Sequence, residues 1–152
     1  MRKILILMLL FAPLFAAAQG KVYNKNNQLV YKYDGSQITK QNKETKAWEV
    51  VITYQNGKVY TRQNKPDKTF EDKLMFIVDG GELFSPENPA SPIVSFDNRF
   101  VYMGKLGDMN SIIGCIEDNS YYRGTMAKPE KLVFTIEGKV PIELLLFLNM
   151  AK

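Results

Sequence analysis

The chain has 152 residues, of which 45% are hydrophobic, and carries a formal net charge of +4. These values suit one globular domain. The chain contains no histidine, which excludes Ser-His and Cys-His catalytic dyads and imidazole metal sites. Its one cysteine, Cys115, excludes an intrachain disulfide, so the stability must come from a hydrophobic core.

Residues 1–18 have the pattern of a secretory signal peptide. Two basic residues follow Met1, an apolar run covers 4–15, and three alanines form a cleavage site at 16–18. We predict cleavage after Ala18 and one mature domain over 19–152. The alternative, an N-terminal membrane anchor, is disfavoured because the apolar run is too short to span a bilayer. The residue directly after the cleavage site is Gln19 and not a cysteine, so we expect a bacterial periplasmic or extracellular protein that is not a lipoprotein.

Removal of the two basic residues lowers the net charge from +4 to +2. Residues 19–73 then hold eleven basic and six acidic residues, and residues 74–152 hold seven basic and ten acidic residues. The basic first half fits an anionic partner, but lysines in polar loops more often form a solvated surface. The nearly neutral total disfavours nucleic acid as a partner.

The first part of the mature chain predicts two turns. Residues 22–31 have the pattern of a hairpin with Asn26 and Asn27 at its turn, and Asp34-Gly35 marks a second turn. Residues 39–46 are polar and predict a loop. Residues 48–54 then alternate apolar and polar side chains, as in a strand with one buried face.

Asn56-Gly57 is a strong hairpin signal, and residues 58–62 form the predicted return strand. Residues 63–73 are charged and predict an exposed connection. Residues 74–78 and 82–85 predict two short strands around a glycine-rich turn. Three prolines between 86 and 92 predict a stiff, extended connection.

Residues 93–104 and 113–124 repeat one pattern with a spacing of twenty, since Tyr122 follows Tyr102 by that number. Each copy has apolar residues, an acidic turn, and an aromatic residue five positions after the acid. Residues 132–138 begin a further copy. From residue 55 onward, turn anchors fall at 55, 79, 97, 117 and 137. This pattern predicts an all-β domain of repeated antiparallel hairpins of about twenty residues, in a closed or radial arrangement.

Residues 141–150 lack both a turn and an alternating pattern. Pro141 and Glu143 suit the first turn of a helix, and a helix that is apolar on every side belongs in a core. We therefore predict a short apolar C-terminal helix. The alternative is a last, fully buried strand, because a short apolar run does not distinguish the two by period. The segment is too short to span a membrane.

Four recurrent aromatic residues are the candidate ligand-binding residues: Tyr60, Phe84, Tyr102 and Tyr122. A ring of aromatic residues suits a cleft for sugars or acyl chains. The alternative, which is the more frequent role of such residues, is packing of one hairpin against the next.

The recurrent acids offer a second hypothesis, in which two of them form the acid and base pair of a glycoside hydrolase. They are Asp79, Asp97, Glu117 and Glu137. Because they lie beside glycine or asparagine, we favour the ordinary role of an acid in hydrogen-bonding the turn backbone. Cys115 aligns with Ser95 and Thr135, which predicts a buried small residue rather than a nucleophile. We predict no catalytic residue, no metal and no cofactor.

The units at 93–104, 113–124 and 132–138, with weaker copies at 51–62 and 75–85, resemble those of the four-fold β-flower proteins. These are small bacterial proteins whose hairpins radiate around a central axis, often after an export segment. The pattern more distantly resembles the tubby-like barrels, in which strands surround an apolar C-terminal helix and which bind anionic lipid heads. Neither resemblance supplies catalytic residues, and no phosphoinositide-binding motif is found here, so lipid binding is not carried over.

The sequence favours an exported, non-enzymatic β module with a binding or structural role at the cell envelope. Its expected partner is a glycan, a lipid or a protein surface, with no nucleic acid and no transmembrane segment after signal cleavage. The alternatives are a small glycan-acting hydrolase that uses paired carboxylates, and a periplasmic inhibitor of another protein.

Overall fold

The computed structural model describes residues 19–150, which form twelve strands, two short 3-10 helices (Met109–Ser111 and Pro129–Lys131) and one α-helix, α1 (Ile142–Met150). The predicted signal peptide lies outside the described residues. The strands are β1 Gly20–Asn24, β2 Leu29–Tyr33, β3 Gln37–Gln41, β4 Trp48–Gln55, β5 Lys58–Asn64, β6 Phe70–Asp79, β7 Glu82–Ser85, β8 Asn88–Phe96, β9 Phe100–Met103, β10 Ile112–Glu117, β11 Ser120–Arg123 and β12 Leu132–Gly138.

The twelve strands form one closed antiparallel barrel in which every strand pairs with its neighbours in sequence. The barrel closes where β1 pairs with β12, from Gly20 opposite Gly138 to Asn24 opposite Phe134. The predicted all-β fold of repeated hairpins is therefore confirmed. The last copy of the repeat, which has only one strand at the C-terminal end, obtains its second strand from the N-terminus.

The repeat has the same register in successive hairpins. The residue two positions before the turn anchor lies opposite the residue five positions after it, as in Ser95 with Tyr102 and Cys115 with Tyr122. The same pairing occurs at Thr53–Tyr60, Ile77–Phe84 and, across the closure, Thr135–Tyr23. Asp34 anchors a further copy, with Lys32 opposite Thr39. The aromatic spacing did not reveal this copy because Thr39 occupies the aromatic position.

A register shift recurs in every unit, where one strand carries an extra residue, and the β7–β8 pair has a second shift. Such a β-bulge interrupts the alternation of side chains, so two adjacent residues can both approach the core. The extra residues are all apolar and pack against the core: Val30, Val51, Met75, Ile93, Ile113 and Val133. The bulges thus increase the apolar surface that each short strand contributes to the interior.

Helix α1 occupies the centre of the barrel, where four consecutive residues, Leu144, Leu145, Leu146 and Phe147, are buried in the same core cluster as the strands. The Phe147 ring meets the ring of Phe76 on β6 edge to face, with centroids 5.4 Å apart. The predicted helix is confirmed, and the alternative of a last buried strand is wrong. Within the described part of the chain, no helix has the length and apolar character needed to cross a membrane.

One unit replaces a large core residue with glycine. Gly114 lies where the other units have Tyr31, Ile52, Phe76, Val94 and Phe134, and the buried Tyr121 ring fills the space that results. A Cβ atom added at Gly114 would lie 2.6 Å from Cζ of Tyr121, well inside contact distance. Tyr121 itself stands where other units carry a smaller aliphatic residue such as Val101 or Leu83. The two exchanges compensate each other in volume.

Three predicted connections are partly or mostly strand. Of the predicted loop at 39–46, the first three residues belong to β3. Of the predicted connection at 63–73, only 65–69 lies outside β5 and β6, which continue as a solvent-exposed ribbon. Cross-strand pairing overrides the polar composition here, since Arg62 forms an ion pair of 3.1 Å with Asp72 on the opposite strand. The proline-containing segment likewise belongs mostly to β8.

Candidate functional site

The four predicted ligand-binding aromatic residues lie on the outer face of the barrel, one in each of four successive hairpins. The residue before each of them faces the core and is buried: Val59, Leu83, Val101 and Tyr121. Because neighbouring aromatic positions are two strands apart, they follow one another at steps of about 10 Å. They form a belt around the barrel and do not converge on one cleft.

The members of this belt differ in exposure. Tyr102 is only 3% exposed and packs edge to face against Phe100, whereas Tyr60, Phe84 and Tyr122 are half-buried. Each lies beside a bulge and opposite an apolar residue of the next hairpin, such as Leu74 for Tyr60. Their binding of a ligand remains a prediction.

The recurrent acid Asp97 has the turn role that the sequence favours. Its Oδ1 accepts hydrogen bonds from the backbone amides of Phe100, at 2.7 Å, and Arg99, at 2.8 Å, and its Oδ2 accepts one from the Tyr102 hydroxyl at 2.9 Å. Burial alone would raise the pKa of Asp97, but these donors lower it below its usual value. Asp97 is therefore an ionised turn residue.

Cys115 is buried on β10 at the position that aligns with Ser95 and Thr135. Burial raises the pKa of its thiol, and the nearby Glu117 carboxylate raises it further. A thiol with a raised pKa holds little of the reactive thiolate at neutral pH. This environment agrees with a structural role for Cys115.

The first of two notable cavities lies where β1, β2, β3 and β12 meet, next to the barrel closure. This seam cavity has a volume of about 500 Å³. Its polar lining residues are Gln19, Lys21, Lys32, Tyr33, Asp34, Gln37, Thr39 and Glu137. Lys32 also lies 4.0 Å from the ring centroid of Trp48 on the outer face, a cation–π contact.

Two acidic residues, Asp34 and Glu137, line the seam cavity. Glu137 accepts hydrogen bonds of 3.0 Å from Lys21 and from the Tyr23 hydroxyl, and both bonds lower its pKa. Burial alone would raise the pKa of Asp34, but hydrogen bonds from Ser36 and Gln37 lower it. The sequence did not bring Asp34 and Glu137 together, because only the barrel closure places both in the lining of one cavity.

The second cavity opens at the opposite end of the barrel, between the β1–β2 and β11–β12 connections and the last turn of α1. This loop-end cavity has a volume of about 660 Å³. The residues that matter for its chemistry are Lys25, Val30, Arg123, Glu130, Lys131, Leu132, Val133, Phe134 and Asn149. None of the four predicted aromatic residues lines either cavity.

Comparison of the chain with known protein families, with curated proteins and with solved structures gives no match. Over residues 19–150, no three or more Cys, Asp or Glu side chains gather in a way that could hold a metal ion.

Proposed function

We propose that the protein is an exported binding module that holds its ligand without chemical turnover. Helix α1 fills the barrel interior, so a ligand has access only to the outer face and to the cavities at the two ends. The seam cavity is the first candidate site. It combines ammonium, amide and hydroxyl donors with two carboxylate acceptors, a combination that suits the hydroxyl groups of a glycan, and one of its lysines, Lys32, contacts the Trp48 ring.

The observation that carries this proposal is that donors of the chain hold both carboxylates of the seam cavity, since Lys21 and Tyr23 donate to Glu137 and the backbone amides of Ser36 and Gln37 donate to Asp34. These hydrogen bonds lower the pKa of each carboxyl. A glycoside hydrolase needs one carboxyl with a raised pKa, which remains protonated near neutral pH and donates its proton to the leaving group. Asp34 and Glu137 are both ionised at that pH. They can accept hydrogen bonds from a ligand, but neither can supply the proton.

The alternative function, a hydrolase with paired carboxylates, has one observation in its favour, which is that Asp34 and Glu137 line the same cavity. Incubation of the mature protein, residues 19–152, with a panel of bacterial glycans distinguishes the two functions. We expect retention of a glycan with no product. Turnover that is abolished by Glu137→Gln or Asp34→Asn, and retained in the turn variant Glu117→Gln, would establish the hydrolase instead.

For the fold family, we propose kinship with the tubby-like barrels rather than with the radial β-flower proteins. The support is architectural, since twelve antiparallel strands surround an apolar C-terminal helix. Shared architecture carries no ligand with it. The glycan proposal depends only on the residues of the seam cavity.

A further inference from the structure

The first residue of the predicted mature chain, Gln19, lies at the barrel closure. Its carbonyl oxygen accepts a hydrogen bond of 3.1 Å from the backbone N–H of Lys139. The next residue, Gly20, begins β1 and is paired on both sides, with Gly138 on β12 and with Tyr33 on β2. The main chain is therefore held in place from the carbonyl group of Gln19 onward.

The amine and the side chain of Gln19 are not part of this pairing. The residue is exposed, and it belongs to the lining of the seam cavity. Cleavage after Ala18 turns its backbone nitrogen into a free α-amine, and the carboxamide carbon Cδ of the same residue then lies within reach through a five-membered ring. Two groups of one residue react far more readily than two separate molecules, because little entropy is lost in bringing them together.

We propose that Gln19 is a modification site, at which the mature N-terminus closes to pyroglutamate. The α-amine nitrogen attacks Cδ, the bond from Cδ to Nε2 breaks, and Nε2 leaves as ammonia with a proton from the amine. One amide replaces another, so the step needs no oxidant or reductant. The ring contains neither atom of the carbonyl that bonds to Lys139, so β1 keeps its place in the barrel. This inference rests on the export proposed above, because an uncut precursor has no free amine at Gln19.

Ring closure changes the charge at the seam cavity. The lining holds two lysines and two acids, Lys21, Lys32, Asp34 and Glu137, so its charge is balanced. A free α-ammonium group on Gln19 would add one positive charge, whereas the lactam is neutral and presents one N–H donor and one carbonyl acceptor. The lactam also blocks aminopeptidases, which require a free amine and would otherwise shorten the chain toward β1.

The mass of the exported protein tests this proposal. The full chain is expressed in an exporting bacterium, and the folded product is kept in neutral buffer until its mass is constant. We expect the mass of residues 19–152 less one ammonia, and an N-terminal proteolytic peptide that an amine reagent does not label at its α-nitrogen. Residues 19–152 at full mass, with a labelled α-amine, would overturn the proposal and leave export intact. Recovery with residues 1–18 attached would overturn both.

Gln19→Ala is the matched control, because alanine has no carboxamide for the amine to attack. This variant should be cut at the same bond, keep its full mass and carry the label. It should unfold at the same temperature as the parent, since the backbone carbonyl that bonds to Lys139 is present in both. Aminopeptidase digestion of the unfolded proteins should shorten the variant and leave the parent intact. Loss of ammonia from the variant as well would place the reaction at another residue and overturn the proposal.

Discussion

The hydroxyl of Tyr102 donates a hydrogen bond of 2.9 Å to Oδ2 of Asp97, the acid that opens the turn five residues earlier. An equivalent contact closes the barrel, where the hydroxyl of Tyr23 donates to Oε2 of Glu137 at 3.0 Å. The spacing of acid and aromatic residue, which first identified the repeat in the sequence, therefore corresponds to a physical contact on the outer face. In the last unit the two partners come from opposite ends of the chain.

This contact predicts a difference between two equivalent tyrosines. Tyr102→Phe should lower the free energy of unfolding by about 1 kcal/mol, because it removes a hydrogen bond to a carboxylate. Tyr122→Phe is the matched control and should change it little, since no side-chain hydrogen bond to Tyr122 is described. Tyr102→Ala should cost about 3 kcal/mol because the ring is buried. Denaturant titration measures all three, and equal stability of Tyr102→Ala and the parent would contradict the packing role.

The compensation between Gly114 and Tyr121 predicts strong coupling. Gly114→Ala should destabilise the protein by about 1–3 kcal/mol, because the added Cβ overlaps the Tyr121 ring. In a Tyr121→Leu background the same change should cost less than half as much, since the overlapping atoms are gone. A double-mutant cycle from denaturant titrations measures the coupling. Additive effects would show that the two sites adjust independently.

Helix α1 should be required for folding. Leu145→Asp places an unpaired carboxylate in the core and should prevent folding, and Leu145→Ala should cost about 2–5 kcal/mol. Leu106→Asp is the matched control, because Leu106 is 47% exposed in the β9–β10 connection. Circular dichroism and thermal unfolding check these variants. A truncation after Val140 that remained folded would show that the helix is dispensable.

Stability should fall in alkaline solution through Tyr54. Its hydroxyl is partly buried and donates to Oε1 of Glu143 at 3.0 Å, and burial followed by the Glu143 charge raises its pKa to about 12. The folded state holds this proton more tightly than the unfolded state. The Tyr54 hydroxyl therefore contributes fully to the free energy of unfolding below pH 10, and this contribution is lost as the pH approaches 12. Solvent screening limits it to about 1 kcal/mol.

Tyr54→Phe should therefore reduce the loss of stability between pH 10 and 12, without abolishing it, because burial also raises the pKa of Tyr31 and Tyr33. Tyr60→Phe on the outer face is the control. Urea titrations at pH 8, 10 and 11.5 provide the measurement. An identical pH dependence in Tyr54→Phe and the parent would show that Tyr54 does not cause the loss of stability.

Export should yield a protein that begins at Gln19. The small residues at 16–18 after an apolar run motivate this prediction. The intact mass of the protein recovered from the bacterial periplasm or medium measures it, and recovery with residues 1–18 still attached would indicate an anchor.

The sequence by itself determined the local features of the fold. These features depend only on neighbours in the chain, as do the turn residues Asn56-Gly57, the alternation in β4 and the spacing from Asp97 to Tyr102. Local patterns of this kind predicted the hairpins, the all-β class and the apolar C-terminal helix. They also predicted that Cys115 and Ser95 occupy equivalent positions. The exposed ribbon of β5 and β6 was not predicted, because the side-chain pairs that stabilise it join residues of two different strands.

Only the tertiary structure decided how the ends of the chain meet and what they enclose. The contact of Lys21 with Glu137 and the joining of Asp34 and Glu137 in one cavity require closure of β1 on β12, which no local pattern encodes. The same holds for the loop-end cavity, whose lining joins the β1–β2 and β11–β12 connections to Asn149 near the end of α1. Pairing between distant segments is set by the packing of the whole core, and the cavities form where that packing is incomplete.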